Sequence, residues 1–161
     1  MIDSGGTTTN VFSDRGELTG QTRPGGYATT MTYDAVGNRD LLIDPDGGRF
    51  TSTFDSLNRV ATVKDPDGNL TTFANDAAGR RTTLTDANGS TRKYQYDNAD
   101  RLTTQIELNS AGNPIITMVD TYDNTGNRTG RNKDGVQTTW PHDNGNRLTG
   151  QQTSGGYGTF T

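Results

Sequence analysis

YQYDNADRLT, residues 94–103, reads as the end of one strand, a tight turn and the start of the next. Near-copies begin at Tyr33-Asp34, Phe54-Asp55, Tyr122-Asp123 and His142-Asp143. Aligned on the turn, one column runs Ser13, Asp34, Asp55, Asp76, Asp97, Asp123 and Asp143, with spacings of 21, 21, 21, 21, 26 and 20 residues. A second series of turn signals falls between these: Ser4-Gly5, Gly25-Gly26, Asp44-Pro45-Asp46-Gly47, Asp65-Pro66-Asp67-Gly68, Asp86-Ala87-Asn88-Gly89, Ala111-Gly112 and Asp134-Gly135. Gly5, Gly26, Gly47, Gly68, Gly89 and Gly135 each stand seven residues before the residue that precedes the aspartate column; Gly112 does not. Two interleaved series in one register identify a repeat architecture.

Each period thus holds two turns and two strand-sized segments, such as residues 59–64 and 70–74. In Asp-Pro-Asp-Gly, Pro presets φ and Gly supplies φ > 0, while Gly37, Asn58, Gly79, Asp100, Gly126 and Asn146 are the residue types that tolerate left-handed φ best. Such turns join consecutive hairpins into an antiparallel β-meander, about two strands per repeat and about fourteen or fifteen in all. No window sustains a 3.6-residue apolar period, so helix should be negligible and the fold all-β. The expected organisation is a single array over residues 1–161 with about seven repeats. Its fifth unit, residues 97–122, is lengthened by Asn109-Ser110-Ala111-Gly112-Asn113-Pro114 and Ile115-Ile116 into a protruding hairpin. The chain starts inside a turn and stops inside a strand at Tyr157-Gly158-Thr159-Phe160-Thr161, so both ends are expected to be uncapped.

Only 27% of residues are hydrophobic and mean hydropathy is −0.86, which is thin for a packed core. Disorder is argued against by a modest net charge of −4 and by 29 Thr with 21 Gly, strand and turn formers rather than a solvated tail. A pI near 4.8 offers no basic stripe for phosphates, so nucleic acid is not an expected partner. Zero Cys removes disulfides and thiolate chemistry. No apolar run approaches a membrane span of about 20 residues, and Met1-Ile2-Asp3-Ser4-Gly5 is no signal peptide, so export would be directed from outside this stretch.

In a meander of this period, equivalent residues line up as stripes about 9–10 Å apart. One stripe holds Phe12, Tyr33, Phe54, Tyr96 and Tyr122, with Asn75 and His142 as substitutes. A second, two residues earlier, holds Met31, Phe73, Tyr94 and Trp140, so one face carries an aromatic ladder and the other mostly Thr, Ser and Gln. The aspartates stand four residues before Arg59, Arg80, Arg101 and Arg147, across one turn. Asp in that place accepts backbone N–H bonds and Arg closes over it, a structural role shared by all copies rather than a catalytic one. The Asp-x-Asp-Gly turns lack a third ligand position and a Glu at the twelfth, so no calcium loop is expected. His142, the single histidine, fills the aromatic column with no second His or Cys for a metal site. No cofactor is expected.

These turns, Tyr33-Asp34-Ala35-Val36-Gly37-Asn38-Arg39, Tyr96-Asp97-Asn98-Ala99-Asp100-Arg101-Leu102-Thr103 and Tyr122-Asp123-Asn124-Thr125-Gly126-Asn127-Arg128, resemble the Rhs/YD-repeat family. The resemblance covers nearly the whole chain. It implies a long β-sheet that curves or spirals into a hollow shell, in bacterial secreted or cell-surface proteins, and a toxic segment of the same polypeptide held inside. Family shells use many more repeats, and many release their cargo through an aspartate autoprotease near a terminal Asp-Pro-x-Gly motif. Here Asp44-Pro45-Asp46-Gly47 and Asp65-Pro66-Asp67-Gly68 lie mid-array, in phase with the ordinary turns.

The expected function is a non-enzymatic structural segment whose partners are further repeats of the same polypeptide. The alternatives are a self-assembling tube or filament, in which copies of the chain supply the neighbours, and a glycan-binding surface built on Trp140, Tyr94 and Tyr96.

Overall fold

The computed structural model describes residues 2–3, 5–154 and 156–159, with side chains for residues 5–154. The expected turn at Ser4-Gly5 and strand through Phe160 and Thr161 fall in part outside the described residues. Among the described residues there are seventeen strands and no helix. Their contacts group into two compact units, residues 1–73 and 74–161.

In the first unit a ribbon of β1 (Ile2–Asp3) and β2 (Gly6–Thr7) precedes a meander. The meander runs through β3 (Thr9–Phe12), β4 (Leu18–Thr22), β5 (Ala28–Tyr33), β6 (Arg39–Ile43), β7 (Arg49–Phe54), β8 (Val60–Lys64) and β9 (Leu70–Asn75), each antiparallel to the last. The second unit continues in the same manner with β10 (Arg81–Thr85), β11 (Thr91–Tyr96), β12 (Leu102–Leu108), β13 (Pro114–Tyr122), β14 (Arg128–Lys133), β15 (Val136–Thr139), β16 (Gly150–Thr153) and β17 (Gly156–Thr159). This is the antiparallel, two-strands-per-repeat pattern that the spacing predicts. The nine-residue β13 is the longest strand, and it belongs to the lengthened fifth unit.

The two series of turns, so different in sequence, share one geometry. At Asp34 the Gly37 N–H donates to the Asp34 carbonyl at 3.2 Å, and the Asp34 N–H donates to the Asn38 carbonyl at 2.9 Å. Asp44 repeats the pattern with Gly47 at 3.0 Å and Gly48 at 2.9 Å. This is a three-residue hairpin loop, a type I turn closed by one left-handed residue. That residue is Gly47 at φ 86° in one series and Asn58 at 59° or Asp100 at 62° in the other. Asp134-Gly135 differs: it is a two-residue loop with both φ positive, 52° and 89°, the mirror-image turn that short hairpins favour. On the aspartate side the pairing slips beside the column residue, between Thr32 and Tyr33, Thr53 and Phe54, Gln95 and Tyr96, and Thr121 and Tyr122. A bulge of this kind re-aims the side chain next to it.

Register places the aromatic stripe on one face of each unit. In the first, Met31 pairs with Leu42 and Leu42 with Phe50, and alternation adds Tyr33, Phe54 and Phe73 to that face. The reverse face is less polar than expected, because Leu41 and Leu70 share it with Thr32 and Thr51, and Ile43 pairs with Thr30. In the second unit Tyr94, Gln105 and Met118 lie abreast, with Tyr96, Tyr122 and Trp140 on the same side.

Almost nothing is fully buried. Met31, at 7% exposure, is the one buried large apolar side chain among the described residues, while Phe12 stays 58% and Phe50 37% exposed. A sheet this thin leans on its turns. Gly47→Ala, which forces a Cβ into left-handed backbone, should therefore cost about 1–2 kcal/mol in a urea unfolding curve. An unchanged midpoint would contradict this account of the turn.

Candidate functional site

Each aspartate of the column organises its own turn. The Asp55 Oδ1 accepts the N–H groups of Leu57 at 2.9 Å and Arg59 at 3.0 Å, and its Oδ2 accepts the Arg59 Nε at 2.7 Å. Asp97 does the same with Ala99, Arg101 and the Arg101 Nε, at 2.9, 3.0 and 2.7 Å. Asp76 is held by Arg80 and Asp143 by Arg147 in the same way. At Asp34 and Asp123 the residue four places on is Asn, whose amide replaces the guanidinium at 2.9 Å. Ser13 holds the column place in the first repeat, its Oγ accepting the N–H groups of Arg15 and Glu17 at 3.2 Å. Asp44 is built alike in the other series, accepting from Asp46 and Gly48.

Donors crowded onto one carboxylate favour its charged form. The carboxyls of the column are accordingly held below the usual carboxylate value. The leading cause is the Asn38 amide at Asp34, the Arg59 N–H at Asp55, the Arg80 side chain at Asp76, the Arg101 N–H at Asp97, the Thr125 hydroxyl at Asp123 and the Arg147 side chain at Asp143. Asp65 is lowered too, first by the Asn69 amide.

The arginines do more than close their own turns. Arg80 reaches forward to the next repeat, donating to the Asp97 carbonyl at 3.2 Å and pairing with the Asp100 carboxylate at 2.6 Å. Its guanidinium lies 4.9 Å from the centre of the Tyr96 ring. Arg101 repeats the reach, to the Asp123 carbonyl at 3.0 Å and over Tyr122 at 4.7 Å. The tyrosines reach the other way: the hydroxyls of Tyr33, Tyr96 and Tyr122 donate to the carbonyls of Leu18, Arg81 and Leu102 at 2.9, 2.9 and 2.8 Å. Where Asn stands for Arg, amides bridge instead, Asn38 to Asn58 and Asn127 to Asn146. In the second unit aromatic residue, aspartate and arginine thus form a joint between consecutive repeats, at Tyr96, Asp97 and Arg80 and again at Tyr122, Asp123 and Arg101.

The aromatic face has its own polar insertion. Asp120, 8% exposed, occupies the stripe position held elsewhere by Met31, Phe73, Tyr94 and Trp140. Arg131 neutralises it from the paired strand with two bonds of 2.7 and 2.6 Å, a bidentate geometry. Arg128 stacks on Trp140 at 4.5 Å. Tyr94 is half-buried in mid-face, and Phe73 and Phe54 lie half-buried on the first unit's face. Gly26, Gly68, Gly89 and Gly135 all take positive φ at their turns, as Gly47 does. Among the described residues no group of three or more His, Asp or Glu is placed to hold a metal ion, and no helix is long and apolar enough to cross a membrane.

An aromatic-faced β-meander whose repeats are jointed by Tyr, Asp and Arg defines a repeat scaffold. The chain belongs to the RHS repeat family: the family model, described as RHS Repeat, matches residues 12–49, 54–91 and 76–114, more than half of it. Solved structures carry the same fold. The crystal structure of TcdB2-TccC3-TEV superposes with a TM-score of 0.73 at 18% identity over 93% of this chain and 9% of that one. The Tc holotoxin pore of Photorhabdus luminescens gives 0.74 at 17% identity, over 92% and 9%. This chain spans about a tenth of the length of those it matches. A search of curated proteins returns no match.

Two tests follow from the joint. Because the native carboxyls are depressed, the unfolded chain binds more protons in acid. The column's contribution is full above about pH 5 and fades as the pH falls through the ordinary value of 3.8 toward the lowered native ones. Urea midpoints measured from pH 7 down to pH 2.5 should decline in that window, and a flat or rising profile would contradict the clamp. Tyr122→Phe, which removes only the hydroxyl bond to Leu102, should cost about 1 kcal/mol. No loss in the same assay would show that the bond contributes nothing.

Proposed function

We propose that this chain is a wall segment of an RHS-repeat shell, working by shape and not by catalysis, and that the shell encloses a toxic segment of the same polypeptide. The observation that carries the reading is the aromatic face left half open, with Met31 alone of its large apolar residues buried among those described. An exposed apolar surface of this kind calls for covering polypeptide. The column aspartates are saturated with donors in their own turns, which suits rigid edges better than proton transfer. The names of the matched structures, a TcdB2-TccC3 assembly and a Tc holotoxin pore, support a place in a bacterial toxin or surface protein. Further repeats of one polypeptide are then the first partners.

Light scattering during size-exclusion chromatography of the 161-residue chain tests this. A monomer of 17.3 kDa that brightens a hydrophobic dye is expected, because its face lacks the covering chain. A large regular assembly that leaves the dye dark would replace the wall segment with a self-assembling subunit.

A further inference from the structure

The seventh hairpin departs from the other six at two adjacent positions. Just before the column residue, where Thr32, Thr53 and Thr121 stand in other repeats, it has Pro141, which has no N–H to give to a ladder. In the aromatic column it has His142, which like Phe12, Phe54 and Asn75 in other repeats carries no hydroxyl to reach back across the joint. Its Nδ1 is shut from solvent without a hydrogen-bond partner. A recess of about 330 Å³ opens there, lined by Thr129, Thr139, Trp140, His142 and Gln152.

Pairing across this hairpin is correspondingly sparse. β15 meets β16 as Thr138 with Thr153 and Thr139 with Gln152, with the Ser154 N–H on the Gln137 carbonyl at 2.9 Å; toward the turn there remain the Thr149 N–H on the Pro141 carbonyl at 2.9 Å and an isolated His142–Leu148 bridge. β11 and β12, by contrast, pair without a gap from Thr91 with Leu108 to Gln95 with Thr104, and again at Tyr96 with Leu102.

We propose that the Pro141-His142 hairpin is an opening seam, at which β16 separates from β15 while the joints of the preceding repeats stay closed. In a shell this is where the wall parts; that consequence rests on the wall reading, whereas the seam itself does not. Separation would uncover the β15 edge and the Trp140 ring.

Hydrogen exchange on the 161-residue chain decides it. Amides of β15 and β16 should exchange at least about tenfold faster than those of Met118 and Val119 in β13. Pro141→Thr with His142→Tyr restores the missing N–H and hydroxyl, and should slow β15 and β16 by about tenfold with Met118 and Val119 unchanged. Equal protection of the two regions in the unmodified chain would overturn the seam whatever the variant does. So would a folded variant whose β15 and β16 exchange as before. Neither outcome bears on whether the chain is a shell wall, which the light-scattering experiment addresses.

Discussion

A carboxylate that must gather its donors from its own turn fixes that turn, and here it fixes the position of everything reaching out from it. Asp97 holds Ala99, Arg101 and the Arg101 guanidinium in place. The Arg101 side chain is thereby aimed at the Asp123 carbonyl and the Tyr122 ring of the following repeat. Pre-organisation matters for so long a side chain, which otherwise loses rotamer entropy on being fixed. The return bond, Tyr122 hydroxyl to Leu102 carbonyl, lands one residue past the same arginine. A local turn rule therefore becomes a rule for joining repeats, and the joint can be copied for as long as the period is kept.

That economy explains how a chain with so little oil forms a sheet. A stack of repeats gains stability from each unit and from each neighbour interface, without one central core. Burial supplies little here, since Met31 alone is closed off among the large apolar residues described, and ladder bonds with turn clamps supply the rest. The aromatic residues serve twice, as a half-covered face and as platforms for the arginines of the preceding repeat. An apolar face can then stay open for covering chain without the repeats falling apart.

Much of this was legible in the residues. The 21-residue period, the two turn series and the strand-sized runs specify an all-β meander, because hairpin chemistry is local and Gly, Asn and Asp announce left-handed φ directly. The pairing of Asp55 with Arg59 could be read from a spacing of four across one turn. What could not be read is the forward reach of Arg80 and Arg101, which depends on how far apart successive turns sit across two strands. A clue was available in the recurrence of Tyr and Arg in the same period. Asp120 with Arg131 is hidden for a similar reason: the partners lie eleven residues apart and meet only through the β13 and β14 register. The shared geometry of Asp34 and Asp44 was hidden by Pro45, which makes one turn look unlike the other. Asp134-Gly135 ends in Gly as those turns do and so looks like them in sequence, although a two-residue loop needs a second positive φ.

The account stands or falls on coupling between repeats, and a double-mutant cycle between Arg101 and Tyr122 measures it most directly. Arg101→Ala, Tyr122→Ala and the pair should be compared by urea unfolding. The joint predicts an interaction energy of about 0.5–1 kcal/mol, as for a stacked cation at a partly exposed site. Additivity within about 0.3 kcal/mol would contradict it, and would mean that the rim contacts accompany the sheet without holding its repeats together.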